Sequence, residues 1–382
     1  MSQTPSPAPG QRPFNCGKQG KQSSNMTIQP GSQIRITPQE HDPTSKVNVR
    51  NQFGAIITGC DLNNLDEADF QAIQNAIYVH SVVIIKGQHD LLPINQYDLI
   101  KRLNPEARAE HGWGTSKEAQ ENTGITRLKW YTIPGTPAVQ MFGHGYPGDD
   151  HYGLKGITMQ GTSHDNYHAE ALPKENIARG RLVTTLRSVR VPKGPPLTVR
   201  WDDGSGRTMK AQAGATAFYS NAQLYDLLTP EEKLLADNSY GETAPYPFVW
   251  TGNGKLDVNE LPPWSVDKVY KYPMVWVNPV TGKKGFQVRA EAVRKLYLRS
   301  APGAKYCVIE DPEQIRIWLN GILDRIIVPG YINIPLVEEG DVGGIHSATE
   351  YPEAYGVRTV HQCHIASSTP PLGPHDSTST NG

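Results

Sequence analysis

One short stretch of the sequence combines an imidazole and a carboxylate at a spacing that could bind a metal ion. His168 and Glu170 lie two positions apart, and alternate side chains of an extended strand point to the same side. His346 is a candidate third ligand from a distant part of the chain. Two histidines and one carboxylate form the ligand set of non-heme Fe(II) oxygenases, which leaves open positions for O2 and an organic co-substrate. A His-x-Glu tripeptide also arises by chance, so this assignment depends on the rest of the chain.

Composition indicates a soluble globular protein. The chain has 382 residues and a formal net charge of -1, which argues against binding nucleic acid or an anionic membrane. It has neither an apolar run long enough to span a membrane nor a hydrophobic signal core. The four cysteines form no Cys-x-x-Cys pair, so we expect free thiols and a cytoplasmic location. The expected partner is a small-molecule substrate, and the sequence leaves a homo-oligomer open.

The polar composition of both termini suggests one folded domain between two tails. Residues 1–48 are rich in Pro, Gly, Ser, Gln and Asn, which predicts a disordered leader. Residues 49–366 carry the hydrophobic patterns of a single domain, and residues 367–382 form a polar tail that we expect to be flexible.

Hydrophobic periodicity predicts many short strands and a few helices. Apolar residues recur at helical spacing after Asp66, and Thr229-Pro230 has the form of a capped helix start. The order of elements, without regular alternation of strand and helix, predicts an α+β fold with a jelly-roll core. The predicted strands are 54–59, 81–86, 180–192 and 214–218, and the predicted helices are 66–77, 94–103 and 312–323.

The segment from Gly54 to Gln88 resembles the opening strand–helix–strand of the TauD/TfdA family of Fe(II)- and 2-oxoglutarate-dependent dioxygenases. The family motif is His-x-Asp/Glu, a distal His and then an Arg, and His168, Glu170, His346 and Arg358 match it in order. The resemblance implies a distorted double-stranded β-helix, a cupin-like jelly roll, with flanking helices. It also implies Fe(II), 2-oxoglutarate and O2 as cofactors and co-substrates.

Arg358 and Thr198 are the candidates for binding 2-oxoglutarate. The resemblance implies that the distal carboxylate of 2-oxoglutarate is buried, and a buried carboxylate needs a partner such as the fork of an arginine. Arg358 stands twelve residues after His346, and Thr198 matches a family threonine that donates to the same carboxylate. Glu170 replaces the commoner Asp but remains a ligand, and a carboxylate at this position disfavours halogenation.

Several segments further resemble the fungal xanthine dioxygenase branch of this family. They are VQMFGHG, LVTTLRSVRVP, LTVRWDDGSG, YPMVWVNPVTGK and VHQC. This chain has Ala138, Gln160 and His364 where that branch has Gln, Lys and Asn, whereas it keeps Gln362. These differences fall around the substrate, so the resemblance implies the same chemistry on a different substrate. The candidate substrate residues are Gln140, Gln160, Tyr167, Gln362 and His364.

The expected function is Fe(II)/2-oxoglutarate-dependent oxidation of a small polar molecule by hydroxylation, desaturation or ring formation. Three alternatives stay open at this point. The first is an iron oxygenase of the same fold that does not use 2-oxoglutarate, the second is a xanthine dioxygenase proper, and the third is a non-catalytic jelly-roll binding protein. The short segment before His168 also leaves open whether His144 or His164 lies near the metal.

Overall fold

A computed structural model describes most of the predicted domain. The described residues are 34–40, 53–106, 131–160, 181–201, 203–243, 270–288, 290, 293–343, 351–366 and 370–376. Within these ranges the chain combines mixed sheets with helices, which is the expected α+β class. No helix in these ranges is long and apolar enough to cross a membrane.

Strands and helices have the following bounds. The strands are β1 (Arg35–Pro38), β2 (Ala55–Thr58), β3 (Val83–Ile85), β4 (Tyr131–Ile133), β5 (Thr136–Gly145), β6 (Asp150–His151), β7 (Leu154–Lys155), β8 (Met159–Gln160), β9 (Arg181–Arg190), β10 (Leu197–Arg200), β11 (Thr208–Ala211), β12 (Tyr240–Thr243), β13 (Tyr270–Pro273), β14 (Val275–Val277), β15 (Lys284–Phe286), β16 (Val293–Leu298), β17 (Cys307–Ile309), β18 (Val342–Gly343) and β19 (Arg358–Ala366). The helices are α1 (Glu67–His80), α2 (Pro93–Leu103), α3 (Asn221–Asp226), α4 (Pro230–Asp237) and α5 (Pro312–Leu323). Short 3-10 turns cover Leu62–Asn64 and Glu353–Tyr355.

A large sheet carries the candidate site. Its order is β1-β2-β3-β18-β9-β19-β5-β4, and β8 adds to β5 at one end. The parallel pair β2–β3 is connected through α1, whereas β19 runs antiparallel to both β9 and β5. Strands far apart in sequence therefore become neighbours at the centre of the sheet.

A second, four-stranded sheet of order β13-β12-β16-β17 packs with helices from the middle of the chain. Its core includes Leu296 of β16, Leu224 of α3 and three residues of α5 at helical spacing, and the α5 residues are Ile315, Leu319 and Ile322. The α1 helix covers another core through Phe70, Ile73 and Ala76. These cores are separate from the residues that line the candidate site.

Local sequence signals account for the ends of the helices. The Asp66 side chain accepts from the backbone N–H of Asp69 and so caps α1. Thr229 and Glu232 form a reciprocal capping box, and Pro230 occupies the first turn of α4. The predicted helices 94–103 and 312–323 agree with α2 and α5.

Two predicted segments differ from the structure. The leader was predicted to lack structure through residue 48, but Arg35–Pro38 pair with β2 because Ile34 and Ile36 pack into the core beneath α1. The predicted strand 214–218 is a loop that starts at Gly214 in a left-handed conformation, with φ +66. Only Phe218 in it makes a bridge, to Asn333.

Part of the predicted C-terminal tail also has defined contacts. The backbone N–H of Val277 donates to the carbonyl of Leu372 at 2.9 Å. Residues 370–376 therefore pack beside β14.

Candidate active site

The two faces of β19 have different surroundings. Alternation places Arg358, Val360 and Gln362 on one face and Thr359, His361 and Cys363 on the other. On the first face Val360 packs with Phe142 of β5 and Leu186 of β9. The second face is covered by α2, since Cys363 packs in one cluster with Ile100 and Met141. We call these the front face and the rear face of the sheet.

Arg358 is a buried cation on the front face. Only 6% of its surface is exposed. Its Nε donates to the carbonyl of Gly214 at 3.1 Å, and its guanidinium lies 5.7 Å from the centre of the Phe142 ring. Its Nη1 makes no hydrogen bond to any described residue. Burial lowers the pKa of Arg358 from 12.5 to about 10, because the charged form is taken out of water.

A cavity next to Arg358 has the properties of an anion site. The residues that line it come from β9, β19, β18 and the loop after β11. No acidic residue is among its described lining residues, whereas Arg190 and Arg358 both are. A buried cation without a carboxylate partner favours binding of an anionic ligand.

The loop after β11 shapes this cavity. A Cβ on Gly214 would lie 2.8 Å from Cδ of Arg358, so glycine is needed both for this approach and for its positive φ. Thr216, two residues on, lines the cavity together with Arg358 and Ser188. Sequence reasoning missed Thr216 because its segment was interpreted only as a strand.

Thr198, the predicted partner of Arg358, lies elsewhere. It is exposed on the two-stranded β10–β11 ribbon, and its hydroxyl accepts from Nζ of Lys210 at 2.6 Å. It is not among the lining residues of the Arg358 cavity. The structure therefore brings Thr216, and not Thr198, to Arg358.

Gln140 and Gln362 form an uncharged polar pair on the front face. They are directly opposite each other in the β5–β19 ladder, and 6% and 0% of their surfaces are exposed. The Oε1 of Gln140 and both amide atoms of Gln362 have no hydrogen-bond partner among the described residues. Gln362 is four residues from Arg358, about 13 Å along the strand. The apolar cluster of Phe142, Leu186 and Val360 lies between these two polar ends.

The remaining candidate residues are described in part or not at all. Tyr167, His168, Glu170 and His346, with the alternative His164, lie outside the described residues. For Gln160 and His364 the structure gives backbone positions, which pair with His144 and Thr184. His144 contacts Tyr351 edge to face, with ring centres 5.8 Å apart. Within the described ranges no group of three His, Cys, Asp or Glu residues could hold a metal ion.

Hydrogen bonds on the rear face fix the strands that carry the site. The Gln96 amide of α2 donates to the hydroxyl of Thr185 and to the carbonyl of His361, both at 3.1 Å. His361 and His151 make a contact of 2.6 Å between their Nε2 atoms. Burial lowers the pKa of both histidines. No motif in the sequence pointed to these contacts, because they join residues distant in sequence.

Comparison with known proteins gives the fold class first. A crystal structure of a taurine dioxygenase from Burkholderia xenovorans superposes with a TM-score of 0.52, covering 89% of this chain and 91% of that one. At 15% identity the likeness concerns the fold. No family model matches the sequence.

Curated relatives then give the family. The alpha-ketoglutarate-dependent dioxygenase bsc9 of Alternaria brassicicola is 35% identical over 92% of this chain and 98% of its own length. The alpha-ketoglutarate-dependent xanthine dioxygenase xanA of Emericella nidulans is 36% identical over 82% of this chain and 92% of its own. The chain therefore belongs to the alpha-ketoglutarate-dependent dioxygenases, a family of oxidoreductases. The resemblance to TauD-like enzymes and to fungal xanthine dioxygenases is confirmed.

Proposed function

We propose that this enzyme uses Fe(II), O2 and 2-oxoglutarate to oxidise a small, uncharged polar molecule. His168, Glu170 and His346 would hold the iron, since two imidazoles and one carboxylate are the donor set that Fe(II) oxygenases use. When bound, iron and 2-oxoglutarate supply the oxidising chemistry, in which 2-oxoglutarate, O2 and a substrate C–H give succinate, CO2 and an alcohol. The protein holds the reactants in register and excludes water.

Arg358 carries the proposal for the co-substrate. Its buried guanidinium retains an Nη1 without a partner among the described residues, next to a cavity without acidic lining side chains. The distal carboxylate of 2-oxoglutarate would compensate the desolvated positive charge through a charge-assisted hydrogen bond. An oxygenase of this fold that does not use 2-oxoglutarate would have no need for a buried cation that lacks a carboxylate partner among the described residues.

Thr216 takes the role that the sequence suggested for Thr198. Its place in the lining of the Arg358 cavity supports a hydrogen bond from its hydroxyl to the same carboxylate. The Gly214 carbonyl occupies the Nε edge of the guanidinium, so a second donor from the loop would satisfy the other carboxylate oxygen.

We also propose that the large sheet forms one wall of a jelly-roll barrel whose interior is the front face. The arrangement of Arg358, Val360 and Gln362 on one face, opposite a helix-covered rear face, supports this closure. The free thiols of Cys60, Cys307 and Cys363 are consistent with work in the cytoplasm.

The Gln140–Gln362 pair indicates the kind of substrate. Amide groups donate and accept hydrogen bonds but cannot neutralise charge, so they suit an amide or a neutral heterocycle. A sulfonate would lack the cation that it needs at this end of the site. The Phe142–Leu186–Val360 cluster would contact the apolar part of the molecule.

Succinate release is the direct test. Fe(II)-loaded protein would be given 2-oxoglutarate and O2 with purines, amino acids or sulfonates as candidate substrates, and His168→Ala would be the metal-site control. We expect a substrate-dependent rise in succinate from an uncharged polar compound and none from His168→Ala. Xanthine as the sole active compound would show that the substitutions at Ala138, Gln160 and His364 do not change the substrate class.

A further inference from the structure

A buried pair of histidines lies on the rear face of the large sheet, away from the proposed site. The Nε2 atoms of His151 and His361 are 2.6 Å apart, and the rings meet edge to face with centroids 4.9 Å apart. His361 has no exposed surface, and 9% of the His151 surface is exposed. A hydrogen bond between two imidazole nitrogens needs a proton on one and a lone pair on the other. Both rings therefore cannot be protonated while the contact lasts.

The surroundings of the pair disfavour any added proton. Burial is the largest cause that lowers the pKa of His151, followed by the positive charges of Arg187 and Arg190. Burial, His151 and Arg187 together hold the pKa of His361 well below its ordinary value. Among the described residues, Arg187 of β9 and Tyr152 and Asp150 of the β6–β7 hairpin are the charged or titratable groups beside the pair, and Arg190 acts on His151 through its charge. Cys363 of β19 and Tyr97 of α2 belong to the apolar cluster on the same face.

The contact joins the β6–β7 hairpin to the centre of the sheet. The hairpin connects β5 to β8, and β8 pairs with the end of β5 at His144 and Gly145. A second contact comes from Arg187, whose Nη1 donates to the hydroxyl of Tyr152 at 3.3 Å. Tyr152 has a φ of +49, a conformation that a tyrosine adopts only when its surroundings enforce it. Leu154 of β7 also packs against the apolar cluster that contains Met141 and Cys363, so polar and apolar contacts together hold the hairpin on the sheet.

We propose that the His151–His361 contact is a proton-sensitive latch that holds the β6–β7 hairpin on the sheet when both rings are neutral. Proton uptake by His151 favours release, because the added charge would otherwise be buried close to Arg187. Release frees β8 from its support, because Met159 of β8 packs with Met141 and Cys363 under this hairpin. The latch does not depend on the proposed substrate or co-substrate.

Proton linkage gives the size of the effect. Once released, His151 is hydrated and titrates near its ordinary pKa of about 6.5. Below that pH, the ratio of latched to released hairpin falls by up to about tenfold per pH unit, until the pKa of the latched pair is reached. Above about pH 7.5 the ratio no longer depends on pH.

Hydrogen–deuterium exchange tests the latch without any need for turnover. Amide protection in residues 150–160 of the whole protein would be measured from pH 7.5 to 5.5 and corrected for the intrinsic pH dependence of exchange. The informative variant is His151→Gln, because a glutamine amide can make the same hydrogen bond but does not titrate. His80→Gln is a matched control, since His80 is also buried with a lowered pKa but lies at the end of α1.

The latch predicts that protection of this segment falls by about fivefold between pH 6.5 and 5.5 in the unmodified protein and in His80→Gln. In His151→Gln the fall should be less than threefold. If His151→Gln does not fold, His151→Asn replaces it with the same expectation, because its amide also does not titrate. An unchanged fivefold fall in the folded variant of His151, or no fall in the unmodified protein, would overturn the proposal.

Discussion

Replacing Arg358 by methionine should separate stability from co-substrate binding. Burial lowers the pKa of Arg358 from 12.5 to about 10, and each pKa unit corresponds to about 1.4 kcal/mol, so the charged form costs the fold roughly 3 kcal/mol. The pKa of Arg358 is lower in the folded state than in the unfolded state, so burial of its charge destabilises the fold wherever both states are protonated, including at pH 7. This destabilisation disappears only as the pH rises from about 10 to 12.5 and the arginine loses its proton. Methionine fills a similar volume but loses the hydrogen bond to Gly214, which contributes about 1 kcal/mol. The free energy of unfolding without ligand should therefore rise by roughly 1–2 kcal/mol.

Binding of 2-oxoglutarate should change in the opposite direction. The variant loses at least one charge-assisted hydrogen bond, worth about 1.5–3 kcal/mol, and leaves a buried carboxylate unpaired. We expect the dissociation constant to rise about 100-fold or more. Chemical denaturation without ligand and anaerobic calorimetric titration with 2-oxoglutarate measure the two quantities on the same protein. A variant that is destabilised by more than 2 kcal/mol while keeping its affinity would refute the reasoning, because Arg358 would then serve the fold.

Three further substitutions, with Thr198→Val as a control, test other parts of the site. Thr216→Val should raise the dissociation constant of 2-oxoglutarate about tenfold, since it removes one hydrogen bond to a charged group, whereas Thr198→Val should leave this calorimetric value unchanged. Gln362→Leu should raise the free energy of unfolding by about 1 kcal/mol, since it removes a buried amide without a partner among the described residues. The same variant should lower substrate-dependent succinate release without changing the affinity for 2-oxoglutarate. Gly214→Ala should lower the free energy of unfolding by about 1–2 kcal/mol, because its φ is positive and its Cβ would press on Arg358, and the denaturation midpoint measures this.

Helix starts could be predicted because they depend on capping residues and prolines that are adjacent in the sequence. Asp66, Thr229 and Pro312 begin helices through capping or ring geometry, and the structure has helices at these places. The β1 strand was missed, because Arg35–Pro38 is a short segment in a polar region whose pairing depends on β2. The loop at Gly214 was mistaken for a strand, since its small and β-branched residues have the composition of one.

The sequence could predict individual site residues from their chemical type, but not the contacts that join residues distant in the chain. Arg358 and the glutamines at 140 and 362 lie on one face, as alternation along β5 and β19 requires. Thr198 was chosen by its spacing in the sequence, but spacing cannot show which loop folds back onto Arg358. The contact between His151 and His361 depends in the same way on a hairpin that folds behind the sheet.

Oxygen consumption by the Fe(II)-loaded protein, with its substrate and with or without 2-oxoglutarate, tests the central claim most directly. We expect consumption only when 2-oxoglutarate is present, with one succinate formed for each O2 used. Consumption that continues at the same rate without 2-oxoglutarate, and without succinate, would contradict it.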